Sequence, residues 1–320
     1  VSKISEYFYK PLPKPVPISD QFWPDETIPL VHTRTMTYMH ESFIKECIEG
    51  ILMQKTTFPV QVLIHDDAST DKTAEIVRSY QKKYPNLIKA YFQQENTFKK
   101  PDKLERQKEF RSWRIGKYEA LCEGDDYWTD SLKLQKQVEF LESNPKYAMC
   151  FHKAKIISPD YPERARYYDH VVPGDYSGKE ILLKWTVPTG AVVFKNHIIK
   201  NYKDLFHPDY LYGDIILFLT LAEHGKVHCL PGEMSVYRIH KGGVTLNKPN
   251  DFTLKFINHH KAIQRNFNGK YRHVTDGMIA SYYQGLSINE QKKGKLLQGI
   301  RYMINFWSYR IQHIIFNKIL

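Results

Sequence analysis

The chain has 320 residues, enough for one large or two modest domains with a core that needs no disulfide or metal staple. Its formal charge of +11 and pI near 9.2 call for an anionic partner: nucleic acid, phospholipid or a phosphorylated substrate. Cys47, Cys122, Cys150 and Cys229 stand far apart without a CxxC pair, which excludes a zinc-ribbon pattern and predicts reduced, buried thiols. No apolar run approaches the roughly 18 to 20 residues of a bilayer span, and the first residues lack the order of a signal peptide. The expectation is a cytoplasmic protein, peripheral on the membrane at most.

Residues 1–29 carry Pro11, Pro13, Pro15, Pro17, Pro24 and Pro29, too many for a helix or an interior strand, and predict an extended surface arm. Residues 30–35 read as a strand, and 41–54 space Phe43, Cys47, Ile48, Ile51 and Leu52 along one helical face. The β-branched run 60–65 is a second strand; it enters Asp66-Asp67-Ala68-Ser69-Thr70-Asp71, after which 73–84 is again helical. Residues 87–92 give a third strand, and a polar basic stretch leads to a fourth at 118–122, which delivers Glu123-Gly124-Asp125-Asp126. Such alternation predicts an α/β fold with a parallel sheet, whose ligands sit at the carboxyl ends of strands. Beyond a helix at 131–143 the pattern is less regular: a strand near 148–151, a loop rich in Tyr and Arg, an apolar segment at 187–194, and a helix over 214–224 with Gly225 placed to cap it. Residues 251–320 read as mostly helical.

The acidic turns carry the chemistry. Glu123 and Asp125, separated by Gly124, can set two oxygen ligands on one side of a tight turn, as a hard divalent cation requires when phosphate oxygens complete its shell. Asp126 adds a third carboxylate. A helix cap accounts for one such acid, and Asp130 is the better plain cap; three carboxylates this close repel one another unless a cation or basic group offsets them. In the earlier turn Ser69 and Asp71 suit capping, which leaves Asp66 or Asp67 for another task.

Residues 60–71 and 117–128 resemble the two nucleotide-binding signatures of family 2 glycosyltransferases, inverting enzymes with a GT-A fold. The order matches as well: a first strand ending Thr35-Met36-Thr37-Tyr38-Met39-His40, then HDDASTD, then GKYEALCEGDDYW, then a helix beginning TDSLKLQKQ. The resemblance covers about residues 30–245. It implies a nucleotide-sugar half at 30–150, an acceptor and catalytic half at 151–250, and a helical extension at 251–320. It further implies transfer from a nucleotide diphosphate sugar, UDP by analogy, to a hydroxyl of a glycan or lipid-linked glycan, with Mn²⁺ or Mg²⁺ as cofactor.

By the same resemblance Thr35 and Tyr38 line the base and ribose pocket, an aspartate of the Asp66-Asp67 pair accepts from the base, and Asp125 holds metal; Asp126, the third carboxylate, either meets the donor sugar or holds the first ligand in place. Glu123 stands where the family has the first Asp of its metal motif; it is one methylene longer, and contact with metal, ribose or neither stays open. Asp214, in Tyr212-Gly213-Asp214, matches the general base that an inverting transfer needs to take the acceptor's proton. The segment Ser235-Val236-Tyr237-Arg238-Ile239-His240-Lys241-Gly242-Gly243-Val244 resembles the closing segment beside the diphosphate. Alternation sets Arg238 and His240 on one face of an extended strand, Arg238 for phosphate and His240 for metal or phosphate. Arg111 and Arg114 are further phosphate candidates. Gly190, with Trp128 and Trp185, is assigned to the donor-sugar and acceptor pocket. His65, His152 and His224 are read as structural.

From Lys261 onward ten Lys and Arg residues face two acids, Asp276 and Glu290, a local charge of +8. Leu296, Leu297, Ile300, Met303, Ile304, Trp307, Ile311, Ile314 and Ile315 recur there at helical spacing. This amphipathic helix suits packing on protein, a homo-oligomer included, or an anionic membrane surface. Two other readings compete. A sugar nucleotidyltransferase wants a Gly-rich phosphate loop early in the chain, and residues 30–60 have none. A non-enzymatic basic protein bound to membrane or nucleic acid wants one continuous basic patch interleaved with aromatics, which the tail offers in part; no nucleic-acid partner is expected.

Overall fold

The computed structural model describes residues 9–98, 100, 102–158, 161–166, 168–201, 205–243, 246 and 251–319. The first eight residues of the proline-rich arm and Val244 of the closing segment therefore lie outside the described residues. Two compact units emerge, one of Val1–Ser177, Trp185–Lys200 and Leu221–Gly243, the other of Gly178–Lys184, Asn201–Thr220 and Val244–Leu320.

In the first unit the arm is extended, and its strand β1 (Val16–Pro17) pairs with β3 (Lys55–Thr56) in a small ribbon. The four segments expected as strands become β2 (Val31–Thr37), β4 (Val60–Asp66), β5 (Ile88–Phe92) and β6 (Tyr118–Leu121), parallel in the order β5-β4-β2-β6. Between them α1 (Ile44–Leu52) and α2 (Thr73–Lys83) bury Ile44, Cys47, Ile48, Ile51 and Val77 on one face of the sheet, with Val31, Val62 and Ile64. The basic stretch forms two short helices, α3 (Lys103–Arg106) and α4 (Lys108–Ser112), and Phe110 of α4 packs against His65, Tyr91 and Trp113. Strand β7 (Tyr127–Trp128) and helix α5 (Lys133–Ser143) follow the second acidic turn.

The later strands extend this sheet. Strand β8 (Tyr147–Ile157) is longer than its apolar start suggests, β9 (Gly174–Tyr176) is short, and the apolar segment yields β10 (Val193–Lys195) after a turn at Thr189–Ala191. β10 runs antiparallel to both β6 and β8, and β11 (Lys226–Arg238) runs parallel to β8. Two reversals restore the direction, so β11 ends at the same sheet edge as β2, β4 and β6. Gly225, expected as a left-handed cap, has another reason to be glycine. It is absent from the positive-φ positions, and a Cβ there would stand 2.9 Å from the Ala148 amide nitrogen.

The second unit contains α6 (Gly178–Lys184), the start of α7 (Gly213–His224) and three helices, α8 (Phe252–Asn266), α9 (Arg272–Lys292) and α10 (Leu296–Ile319). Ile257, Ile279 and Tyr283 form one buried cluster within it, with Tyr302, Phe306 and Tyr309 packed against them.

Candidate functional site

Three turns meet at the carboxyl edge of the parallel strands. The turn after β2 holds Met39 at φ 59° and the turn after β4 holds Ala68 at φ 64°, a conformation costly for residues with a Cβ and one that concentrates at functional sites. The two turns are latched together: the Met39 amide donates to Ser69 Oγ at 2.9 Å, the His40 amide to Thr73 Oγ1 at 2.8 Å, and the Glu41 amide to Asp71 Oδ2 at 3.1 Å. Asp71 also opens α2 by accepting from the Thr73 amide at 2.9 Å, whereas Ser69 donates to Asp66 instead of capping the helix. Both set the loop that carries His40.

The third turn lies against that loop. The Gly124 amide donates to the Met36 carbonyl at 2.9 Å, and a Cβ on Gly124 would fall 2.7 Å from Thr37 Oγ1 and 2.8 Å from His40 Nδ1. Glycine is therefore required here by close approach. The result places Asp125 Oδ2 3.8 Å from His40 Nε2 and 3.1 Å from His240 Nε2. His240 arrives because β11 ends at this edge, and its ring packs on Phe43 with centroids 4.5 Å apart. The donor atoms of His40, Asp125 and His240 all lie within 4.8 Å of one another. One carboxylate oxygen and two imidazole nitrogens at this spacing fit half the shell of a divalent cation, leaving the other positions to phosphate oxygens and water.

The electrostatics agree with a site built for a cation. Burial pushes the Asp125 carboxyl up, but the His240 hydrogen bond and the electrostatic influence of His40 and His240 outweigh it and hold it below the usual range. Burial and the Asp125 charge raise Asp126 well above that range. Burial lowers His40, keeping its imidazole neutral and able to ligate.

Asp126 and Arg238 build the floor. The Arg238 amide donates to Asp126 Oδ1 at 2.8 Å, its Nη1 to the Asp125 carbonyl at 2.7 Å, and its Nη2 pairs with Glu46. Arg238 and His240 thus reach one turn together. The guanidinium, expected on the diphosphate, instead pins the backbone of the turn that carries Asp125. Gly190 faces Asp126, and a Cβ there would lie 3.6 Å from its Oδ2.

Other assignments also change. Thr35 is fully buried, on the face shared with Val31, so it does not line an open pocket, whereas Tyr38 is 45% exposed. Trp128 is 1% exposed, and its indole donates to the Gly190 carbonyl at 2.7 Å; a ring so enclosed offers no face to a sugar. Arg114 is held inside the sheet by Glu119, which also accepts from His32 Nε2 at 2.9 Å and from Arg34 Nε at 2.7 Å. Burial opposes ionisation of Glu119, but Arg114, Arg34 and His32 hold its carboxyl well below the usual range. Asp66 accepts from the Ser69 amide at 3.0 Å and its hydroxyl at 2.5 Å, and Asp67 from the Thr97 amide at 2.9 Å and its hydroxyl at 2.6 Å. In the second unit Asp214 stands in the first turn of α7 and accepts from the Ile215 amide at 2.8 Å.

Sequence reasoning missed His40 and Lys103. The signal for His40 was its place just past a strand that ends at the ligand edge. Lys103 lies in a polar stretch with no periodicity, yet burial lowers it while Asp67, and more weakly Glu123, raise it, so it stands within electrostatic reach of both acidic turns.

Residues 35–195 match the profile of Glycosyl transferase family 2. The chain belongs to this family. An uncharacterised protein of Mycobacterium tuberculosis is 35% identical over 210 residues, which are 66% of this chain and 59% of that protein; the chain thus spans about 59% of the length of that relative. Among solved structures, S. aureus TarS 1–349 in complex with UDP-GlcNAc aligns with a TM-score of 0.61 at 17% identity, covering 87% of this chain and 81% of that one. The mannosyltransferase PcManGT from Pyrobaculum calidifontis, in complex with GDP-Man and Mn²⁺, aligns with a TM-score of 0.52 at 15% identity, covering 92% and 90%. The fold is GT-A with C-terminal helices, as the sequence motifs predict.

Proposed function

We propose that this family 2 chain transfers a sugar, with inversion, from a UDP-sugar to a hydroxyl of a glycan or lipid-linked glycan, in the assembly of a surface polysaccharide. The observation that carries the reading is the convergence of His40, Asp125 and His240 on one point at the carboxyl edge of the parallel strands. A divalent cation held by these three residues would neutralise charge on the departing diphosphate. Two imidazoles and one carboxylate favour Mn²⁺ over Mg²⁺, because Mg²⁺ takes oxygen ligands and imidazole suits transition metals.

The remaining roles belong to side chains. Tyr38 offers an exposed ring to the base, and Asp67 sits at the same edge with its carboxylate fixed by Thr97. Lys103 supplies positive charge beside Asp67 and Glu123, suited to the diphosphate. Asp126, buried and bonded to the Arg238 amide, holds the turn and faces the donor sugar beside Gly190. Asp214, in the first turn of α7, takes the proton from the acceptor hydroxyl as the anomeric carbon is attacked. The UDP-GlcNAc bound by TarS supports a UDP-hexose or UDP-N-acetylhexosamine as donor.

Thermal-shift assays with UDP and GDP, each with Mn²⁺, Mg²⁺ or EDTA, test the reading. UDP with Mn²⁺ should stabilise the chain more than either alone. No stabilisation by any nucleotide with either cation would remove the proposal. A panel of nucleotide sugars, followed for slow hydrolysis, then identifies the donor.

A further inference from the structure

Helix α10 presents two different faces. Tyr302, Phe306 and Tyr309 pack against Ile257, Ile279 and Tyr283. On the other side Leu297, Ile300, Ile304, Trp307, Ile311 and Ile315 are each 50 to 86% exposed. At 3.6 residues per turn these six fall in an arc of about 80°, and from first to last they run about 27 Å. Most exposed apolar residues are scattered singly; a continuous stripe of this length marks a binding surface.

The charge around the stripe decides what it binds. The segment Leu296–Ile319 contains no Asp or Glu. Arg301 and Arg310 are exposed and project roughly 80° and 100° from the centre of the arc, one on each side. Lys292, Lys293 and Lys295 precede the helix, and Glu290 pairs with Lys293 and Lys295. A second copy docked on this face would bring these cations against their own kind with no acid in the helix to answer them. A nucleic acid offers nothing to six exposed apolar side chains. An anionic bilayer matches both features: the apolar side chains enter the boundary between headgroups and acyl chains while the arginines beside them reach lipid phosphates. Among the described residues no helix is long and apolar enough to cross a membrane, so the helix lies on the surface.

We propose that the exposed face of α10 is a binding surface for anionic lipid, with the helix axis in the membrane plane. This inference does not rest on the transfer reaction. The full chain is sedimented with phosphatidylcholine vesicles containing or lacking about 30% phosphatidylglycerol. Binding should be at least tenfold stronger to the anionic vesicles. The double variant Ile304→Asn/Ile311→Asn should lose at least tenfold, with unchanged circular dichroism and elution volume because both positions are exposed. Arg301→Gln/Arg310→Gln should erase most of the preference for anionic lipid while keeping the fold. The proposal is overturned if the wild-type chain stays in the supernatant with anionic vesicles. It is equally overturned if the isoleucine variant pellets like wild type, or if that variant splits a larger assembly of the wild-type chain into smaller ones, which would assign the stripe to a contact between copies.

Discussion

Replacing Lys133 with methionine should raise stability at neutral pH and flatten its dependence on pH. Lys133 opens α5 with no exposed surface, and its Nζ sits 4.0 Å above the centre of the Trp128 ring without a hydrogen-bond partner among the described residues. Burial lowers its pKa from 10.5 to about 7, against smaller opposing effects of Cys122, Cys150 and Asp130. An unfolded chain holds this proton up to about pH 10.5 whereas the folded chain releases it near 7, so folding becomes more favourable as pH rises through that window. Linkage gives a cost of about 4 kcal/mol at pH 7, of which about 2 kcal/mol is recovered by pH 8.5. For a unit of this size that gain is roughly 4 to 8 °C in Tm.

The neighbouring groups confine the measurement to that range. His152 is held well below its usual value by burial and then by Lys133, so it titrates on the acid side. Cys150 is pushed up to about 12 by burial, so its effect begins above about pH 9. Methionine preserves the length of the stem and places sulfur near the indole. Scanning calorimetry of both proteins from pH 7 to about 8.5 should show wild type well below the variant at pH 7 and closing the gap as pH rises. Parallel curves, or a variant less stable than wild type at pH 7, would refute the buried, unpaired ammonium.

Loss of His40 tests the cation site directly: His40→Ala should weaken Mn²⁺ binding at least tenfold, read by electron paramagnetic resonance without nucleotide, and unchanged affinity would remove His40 from the ligand set. Gly124→Ala drives a methyl into Thr37 and His40 and should cost about 1–3 kcal/mol of stability together with metal affinity; a fully stable variant with normal Mn²⁺ binding would contradict the close approach. Asp214→Asn should keep nucleotide-dependent thermal stabilisation and lose transfer by several orders of magnitude, and an active variant would displace Asp214 as base. Glu119→Ala leaves Arg114, Arg34 and His32 without their buried counter-charge and should cost about 3–5 kcal/mol in urea unfolding; a loss below about 1 kcal/mol would show that water satisfies the cluster.

What was legible in the sequence was local. The strands that became β2, β4, β5 and β6 announce themselves as short segments alternating with helical ones, β4 most clearly by its β-branched apolar run, and α1, α2 and α5 by their spacing, because each pattern repeats within a dozen residues. The acidic turns were legible for the same reason: they stand where such strands end. His40 and Arg238 were harder because their roles depend on contacts far along the chain. His40 reaches Asp125 through a left-handed Met39 and amide bonds to Ser69, Thr73 and Asp71, none of which leaves a periodic trace. Arg238 reads as a phosphate ligand from its neighbours, yet β7 folds back to pair Tyr127 with Val236, which draws Asp125 and Asp126 under the guanidinium and occupies it. Trp128 is buried by the same pairing.

The division between ligand and support follows from that geometry. A cation site needs donors that are fixed before the metal arrives, and fixing them takes more side chains than the donors themselves. Here three residues converge, while Gly124 permits the close approach, Ser69, Asp71 and Thr73 hold the His40 loop, and Arg238 pins the turn from below. Several acids and bases that a motif assigns to substrate are drawn into this support because substrate and support occupy the same strand ends. The chemistry is therefore set less by the number of carboxylates in Glu123-Gly124-Asp125-Asp126 than by the single one, Asp125, that faces two histidines.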